Sequence, residues 1–153
     1  MGLFSFIKGV GKKLFSKKET DAPPEESAQL KASILLQYIK DLGLPFQKIK
    51  ITLRGDDIVV SGTADTQADS EKIVLALGNV EGVDTVDNQM TVVAPAPESR
   101  YHTVVAGDWL TKIADKYYGD IGKHQLIFEA NQPMLKDPDE IYPGQVLRIP
   151  VAA

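Results

Sequence analysis

Apolar residues recur along the chain at two periods, and each run predicts an element. Leu30, Ile34, Leu35, Tyr38, Ile39 and Leu42 fall at helical spacing and stop at Gly43, a residue suited to a helix C-terminus. Ile49-Lys50-Ile51-Thr52-Leu53 alternates as a half-buried strand does. Gly55-Asp56-Asp57 then predicts a turn, and Ile58-Val59-Val60-Ser61-Gly62 the returning strand of a hairpin. Asp65 to Leu77 reads as a second helix with Ile73, Ala76 and Leu77 on its apolar side, and Val83 to Val93 supplies a third strand. Farther along, Leu110, Ile113, Ala114 and Tyr117 form one helical stripe, and Leu126, Ile127 and Ala130 form another. The expected class is α+β, with helices laid on one face of a sheet.

The first residues, MGLFSFIKGVGKKLF, carry a different pattern. Leu3, Ile7, Val10 and Leu14 share one helical face, Phe4 and Phe15 widen it, and Lys8, Lys12 and Lys13 flank it. An amphipathic helix is the expectation, with two uses open: packing on the rest of the chain, or lying on an anionic membrane surface. Gly9 and Gly11 each cost such a helix about 1 kcal/mol relative to Ala, so a break near Val10 is expected, with main-chain carbonyls left unpartnered. A signal peptide is not expected, because Lys8 interrupts the apolar stretch and no small-residue cleavage site follows. Phe6 stands where a myristoylation pattern requires Ser or Thr.

TDAPPEES (20–27) and VVAPAPES (92–99) are Pro-rich and acidic, and both read as linkers. They divide the chain into an amphipathic, glycine-containing N-terminal segment and linker (1–27), a first domain (28–93), a second linker (94–100) and a second domain (101–151). Each domain is small enough to be marginal alone, so packing between them is expected, in a monomer.

Composition narrows the chemistry. With 43% hydrophobic and 25% charged residues, the 153-residue chain is ordinary globular material. The absence of Cys excludes disulfides, thiolate metal sites and a cysteine nucleophile. No apolar run approaches the roughly 18 residues of a membrane span, so no stable membrane insertion is expected. The formal charge of -4 argues against nucleic acid, but it is unevenly spread. Residues 1–20 hold five Lys and one Glu, so a basic head precedes an acidic body.

Catalytic signals are poor. No GxSxG, HExxH, P-loop or GxGxxG occurs, and His102 and His124 lie in different elements without a partnered nucleophile. Asp56-Asp57 and Asp137-Pro138-Asp139-Glu140 sit in expected turns, where Asp serves the backbone, and neither fits a calcium loop. The chain is not expected to be an enzyme.

Two family resemblances overlie this reading. IVVSGTA, EKIVLALGNVEGV and VDNQMTV, with Gly62 after the second strand and the Val80, Gly82, Val83 step, resemble a BON domain of helix-strand-strand-helix-strand order. YHTVVAGDWLTKIADKYYG, Asn131 within IFEANQPML, and the closing IYPGQVLRIP resemble a LysM domain of strand-helix-helix-strand order, with strands near His102–Val105 and Val146–Ile149. Trp109 departs from the Thr that commonly follows Gly-Asp there. LysM resemblance implies binding of N-acetylglucosamine-containing glycans such as peptidoglycan, for which Trp109 and Tyr117 offer aromatic faces.

The combination of head, BON and LysM is similar to a family of small bacterial potassium-binding proteins of the cytoplasm. That resemblance implies a K⁺ sensor or buffer that compacts when the ion binds, with its protein partner unknown. K⁺ is held by several neutral oxygens, typically main-chain carbonyls, rather than by a carboxylate cage. The expected ligands, chosen with the help of the resemblance, are the carbonyls of Ile7, Val10 and Lys12 from the head and of Gly78, Val80 and Gly82 after the second BON helix. Without the resemblance, Gly78 and Gly82 read as an ordinary helix cap and turn.

Overall fold

The computed structural model describes residues 2–151. Its elements are β1 (Gly2–Ser5), α1 (Lys17–Asp21), α2 (Pro24–Leu42), β2 (Lys48–Arg54), β3 (Asp57–Thr66), α3 (Gln67–Gly78), β4 (Thr85–Ala94), β5 (Arg100–Thr103), α4 (Leu110–Tyr118), a 3-10 turn (Ile121–Lys123), α5 (His124–Ala130) and β6 (Val146–Ile149). The α+β class holds, with the expected order in each half.

The first sheet runs β1-β4-β3-β2. β2 and β3 form the antiparallel hairpin, closed at Arg54↔Asp57. A parallel partner needs a crossover, and α3 supplies it between β3 and β4. Gly62 has φ +132, and a Cβ there would stand 2.1 Å from the Lys48 carbonyl oxygen, so close strand pairing requires glycine at that point. Helix α3 begins at Thr66, whose hydroxyl accepts the Asp69 N–H. From Ser70 to Gly78 every residue but the half-buried Lys72 is buried, because the sheet covers one side and β6 of the second half covers another.

Two expectations for the N-terminal region are corrected. The head forms no amphipathic helix: residues 2–5 are strand β1, antiparallel to β4 from Gly2↔Asn88 to Ser5↔Thr85. The competing period was two, not three and a half. Phe4 packs against the main core and Phe6 is buried in it, while Leu3 and Ser5 face outward. A short helix interrupted by Gly9 and Gly11 is marginal in water, so burial of the two rings decides the conformation. Residues 20–27, read as a linker, are also largely helical. Pro24 sits at the first turn of α2, where no N–H is needed, and Glu25 and Glu26 complement the helix dipole.

The second half pairs β5 with β6 and packs α4 and α5 on them around Val104, Leu110, Ile113, Ile127, Leu147 and Ile149. Its seam with the first half is polar and buried. Arg148 on β6 places Nη2 2.9 Å from Glu71 Oε1 on α3, with its Nε 3.0 Å from the same oxygen. Ser99 donates its hydroxyl to Oε1 (2.7 Å) and its N–H to Oε2 (3.1 Å), and Gln67 Nε2 donates to Oε2 (3.1 Å). Burial by itself raises the Glu71 carboxyl, but these donors and the Arg148 charge outweigh it and hold the group below its ordinary value. A depressed carboxylate contributes stability above its unfolded value of about 4.3 and loses it as pH falls through its folded value. Melting temperature is therefore expected to fall from pH 5 to pH 3, and to fall less steeply in Glu71→Gln. Parallel slopes in thermal melts of the two proteins would contradict this assignment.

Candidate functional site

The head and the turn after α3 run side by side. Lys12 forms a parallel bridge with Val80, its N–H donating to Asn79 O and its carbonyl accepting from Glu81 N–H, both at 2.9 Å. Upstream, Gly82 N–H donates to Lys8 O (2.8 Å) and Phe6 N–H to Asp84 O (2.8 Å). The chain can approach this closely because of three glycines. A Cβ on Gly11, at φ +120, would lie 2.5 Å from Asn79 O. On Gly78 it would lie 2.0 Å from the Phe6 ring, so that ring occupies the space a side chain would need. Gly82 has φ +100, which curls the chain back toward β4.

All six residues expected to supply carbonyls lie on these two segments. The Ile7 carbonyl accepts from Val10 N–H, that of Val80 from Val83 N–H and that of Lys12 from Glu81 N–H. Each keeps a second lone pair. The carbonyls of Val10, Gly78 and Gly82 accept no main-chain hydrogen bond among the described residues. Lys8 is drawn sideways: its Nζ is 3.0 Å from Asp56 Oδ2, and the hydrogen bond and charge of that carboxylate push the ammonium pKa up. No group of three or more His, Cys, Asp and Glu is placed to hold a metal ion among the described residues.

The second half reaches the same place. Gly144 has φ +92, and a Cβ there would meet Val10 Cγ2 at 2.6 Å and Ile7 Cδ1 at 3.5 Å. Phe4 stacks edge-on against Tyr101, ring centroids 5.0 Å apart. Asn79 makes the firmest link: its amide donates to Val146 O (2.8 Å) and accepts from Val146 N–H (2.9 Å). Asn131 does the same at Arg148, with contacts of 3.0 and 2.8 Å. Two asparagines, one from each half, thus stand in for a third strand along the open edge of β6. The motifs mark Asn131 but give no role to Asn79, Phe6 or Gly144. Gly11 was visible as a helix breaker, whereas the reach of Asn79 across 67 residues has no local signal.

The aromatic candidates of the second half are not equivalent. Trp109 is 57% exposed, with the Lys112 ammonium 5.7 Å from its ring centroid. Tyr117 is half-buried, stacked under Arg100 and Lys116, and its hydroxyl lies 2.9 Å from His102 Nδ1. His102 is itself buried, with Nε2 2.9 Å from Asp108 Oδ2. Burial opposes ionisation of Asp108, yet hydrogen bonds from Val105 N–H and His102 leave its pKa lowered. This chain of contacts braces the turn before α4.

Comparison with known proteins agrees with this layout. Residues 26–94 match the BON domain model and residues 102–150 the LysM domain model. The chain is 39% identical over 151 residues to the potassium binding protein Kbp of Escherichia coli O6:H1, covering 98% of this chain and 99% of that one. It belongs to the Kbp family. An uncharacterized protein of Deinococcus radiodurans is 28% identical over 141 residues, which span 85% of this chain and 55% of that one. The alignment with Kbp takes in nearly the whole chain and so extends over the segment that meets the turn after α3. Among the described residues no helix is long and apolar enough to cross a membrane.

Proposed function

We propose that the chain is a cytoplasmic, non-enzymatic K⁺ sensor or buffer whose ion lies between the head and the turn after α3. The carbonyls of Ile7, Val10, Lys12, Gly78, Val80 and Gly82 are its ligands. The observation that carries this reading is the Lys12–Val80 bridge, which sets two glycine-rich turns against each other with three carbonyls lacking main-chain partners. Such carbonyls are suited to a weakly hydrated monovalent cation, because they replace its water shell without adding negative charge. The C-terminal end of α3 adds the negative end of a helix dipole. The name of the E. coli relative supports the same ion.

An ion shared by two segments lends them its binding energy, so the protein compacts as the head docks. Calorimetric titration of ion-free protein with KCl should give saturable heat, and NaCl at matched ionic strength should give much less. Equal affinity for both cations would remove the reading. Asp137→Asn and Asp139→Asn are expected to leave K⁺ affinity unchanged, since no carboxylate belongs to the proposed set. Exposed Trp109 keeps glycan binding as a second reading, which predicts retention on purified sacculi regardless of cation.

A further inference from the structure

The chain has three methionines, and two of them, Met90 and Met134, lie among the described residues. A thioether takes oxygen from peroxides, so access by a small oxidant decides its fate. Met90 is 2% exposed, inside the first core. Met134 is half-buried and packs against both cores, at the joint between the two halves. It also lines a cleft of about 250 Å³ bounded by Gly11 and Lys12 of the head, Tyr38 and Leu42 of α2, and Gln145. Its sulfur has a partner of consequence. Met134 Sδ accepts from Asn79 Nδ2 at 3.4 Å, and the same nitrogen donates to Val146 O at 2.8 Å. The thioether therefore touches the amide that ties the turn after α3 to the last strand.

A sulfoxide at this point changes both the packing and the hydrogen bond. Its oxygen is a far stronger acceptor than a thioether sulfur, and it brings a dipole into a contact shared by two apolar cores. The Asn79 amide nitrogen, already beside the sulfur, is drawn toward that oxygen and away from Val146 O. A buried carbonyl that loses its donor is costly. We propose that Met134 is an oxidation site of this protein, and that its sulfoxide unlatches Asn79 from the last strand. With hydrogen peroxide as oxidant, the O–O bond breaks and one oxygen bonds to Sδ, which gives up two electrons. The other oxygen leaves as water. Thiol-dependent sulfoxide reductases reverse the change. Because the Asn79 carbonyl accepts from Lys12 N–H at 2.9 Å, the disturbance extends to the head. That last effect rests on the proposed K⁺ ligands, whereas the oxidation and the loosened joint do not.

The test treats the full chain with hydrogen peroxide under native conditions and follows each methionine by mass spectrometry of its peptides. Met134 should be oxidised roughly tenfold faster than Met90, or more. The treated protein should melt about 3 °C lower or more, and methionine sulfoxide reductase with a thiol should restore the transition. Met134→Leu keeps the apolar volume, so it should fold, and peroxide should leave its melting temperature unchanged. Equal oxidation rates at the two methionines would overturn the proposal. So would equal peroxide-induced shifts in wild type and Met134→Leu, or an unaltered transition once Met134 is fully oxidised. KCl titration of the treated wild type should show weakened binding, and that of treated Met134→Leu should not. A lowered melting temperature with K⁺ affinity intact would uphold the oxidation site and count against an ion held beside Asn79.

Discussion

Removal of residues 2–14 is expected to abolish K⁺ binding while leaving a folded core. The deletion takes away three of the six proposed carbonyls together with strand β1, which is an edge strand and so leaves the β4-β3-β2 pairing intact. Because it also unburies the Phe6 site, a point substitution should accompany it. Gly11→Ala places a methyl group 2.5 Å from the Asn79 carbonyl oxygen, and main chain cannot swing aside as a side chain can. The head must shift, moving the Val10 and Lys12 carbonyls, and K⁺ affinity should fall at least roughly tenfold, about 1.4 kcal/mol. Gly119→Ala is the control. It imposes a milder left-handed strain at φ +66, with no atom within 4 Å of the added carbon, in a part of the chain far from the head in sequence. It should lower thermal stability with K⁺ affinity intact. Retained affinity in the deletion, or equal losses in the two glycine variants, would show that the ion is held elsewhere.

The second large effect concerns the seam. Glu71→Ala is expected to destabilise the protein by about 3–5 kcal/mol, because it leaves the Arg148 guanidinium buried with its charge uncompensated. The pair as such is worth far less, since taking both charges out of water opposes their attraction. Glu71→Met combined with Arg148→Met should therefore recover much of the loss. Urea denaturation of the wild type, both single variants and the double variant measures this directly. Additive losses in the cycle would mean that the two groups act independently, against the geometry.

Local patterns made most of the fold legible and left the joints obscure. The Leu35 and Ile39 stripe, the alternation through Ile51 and Leu53, and the glycines at 43 and 62 report conformations decided within a few residues, so the elements of both halves followed from them. The head misled because its apolar residues fit a helix as well as a strand. What separates the two is burial of Phe4 and Phe6 against residues some eighty positions later, which no window contains. Residues 20–27 misled for a related reason, since Pro marks a linker and a helix start alike, and only Glu25 and Glu26 favoured the second. The candidate ion segments were reachable through a family resemblance and the physics of neutral oxygens. The contact of Gly144 with Val10 was not, because a glycine before a strand announces a turn and not the neighbour packed upon it.

Asn79 joins Lys12 through its main chain and Val146 through its side chain, so three points from the beginning, middle and end of the chain meet at one residue. During synthesis the head waits for the turn after α3 and β4 before its main-chain partners exist, and for Gly144 before its last packing neighbour does. Closing loops of that length is slow compared with forming the hairpin and helices. A chain lacking β6 would then keep most of its secondary structure while Asn79, and with it the turn that meets the head, goes without its anchor at Val146.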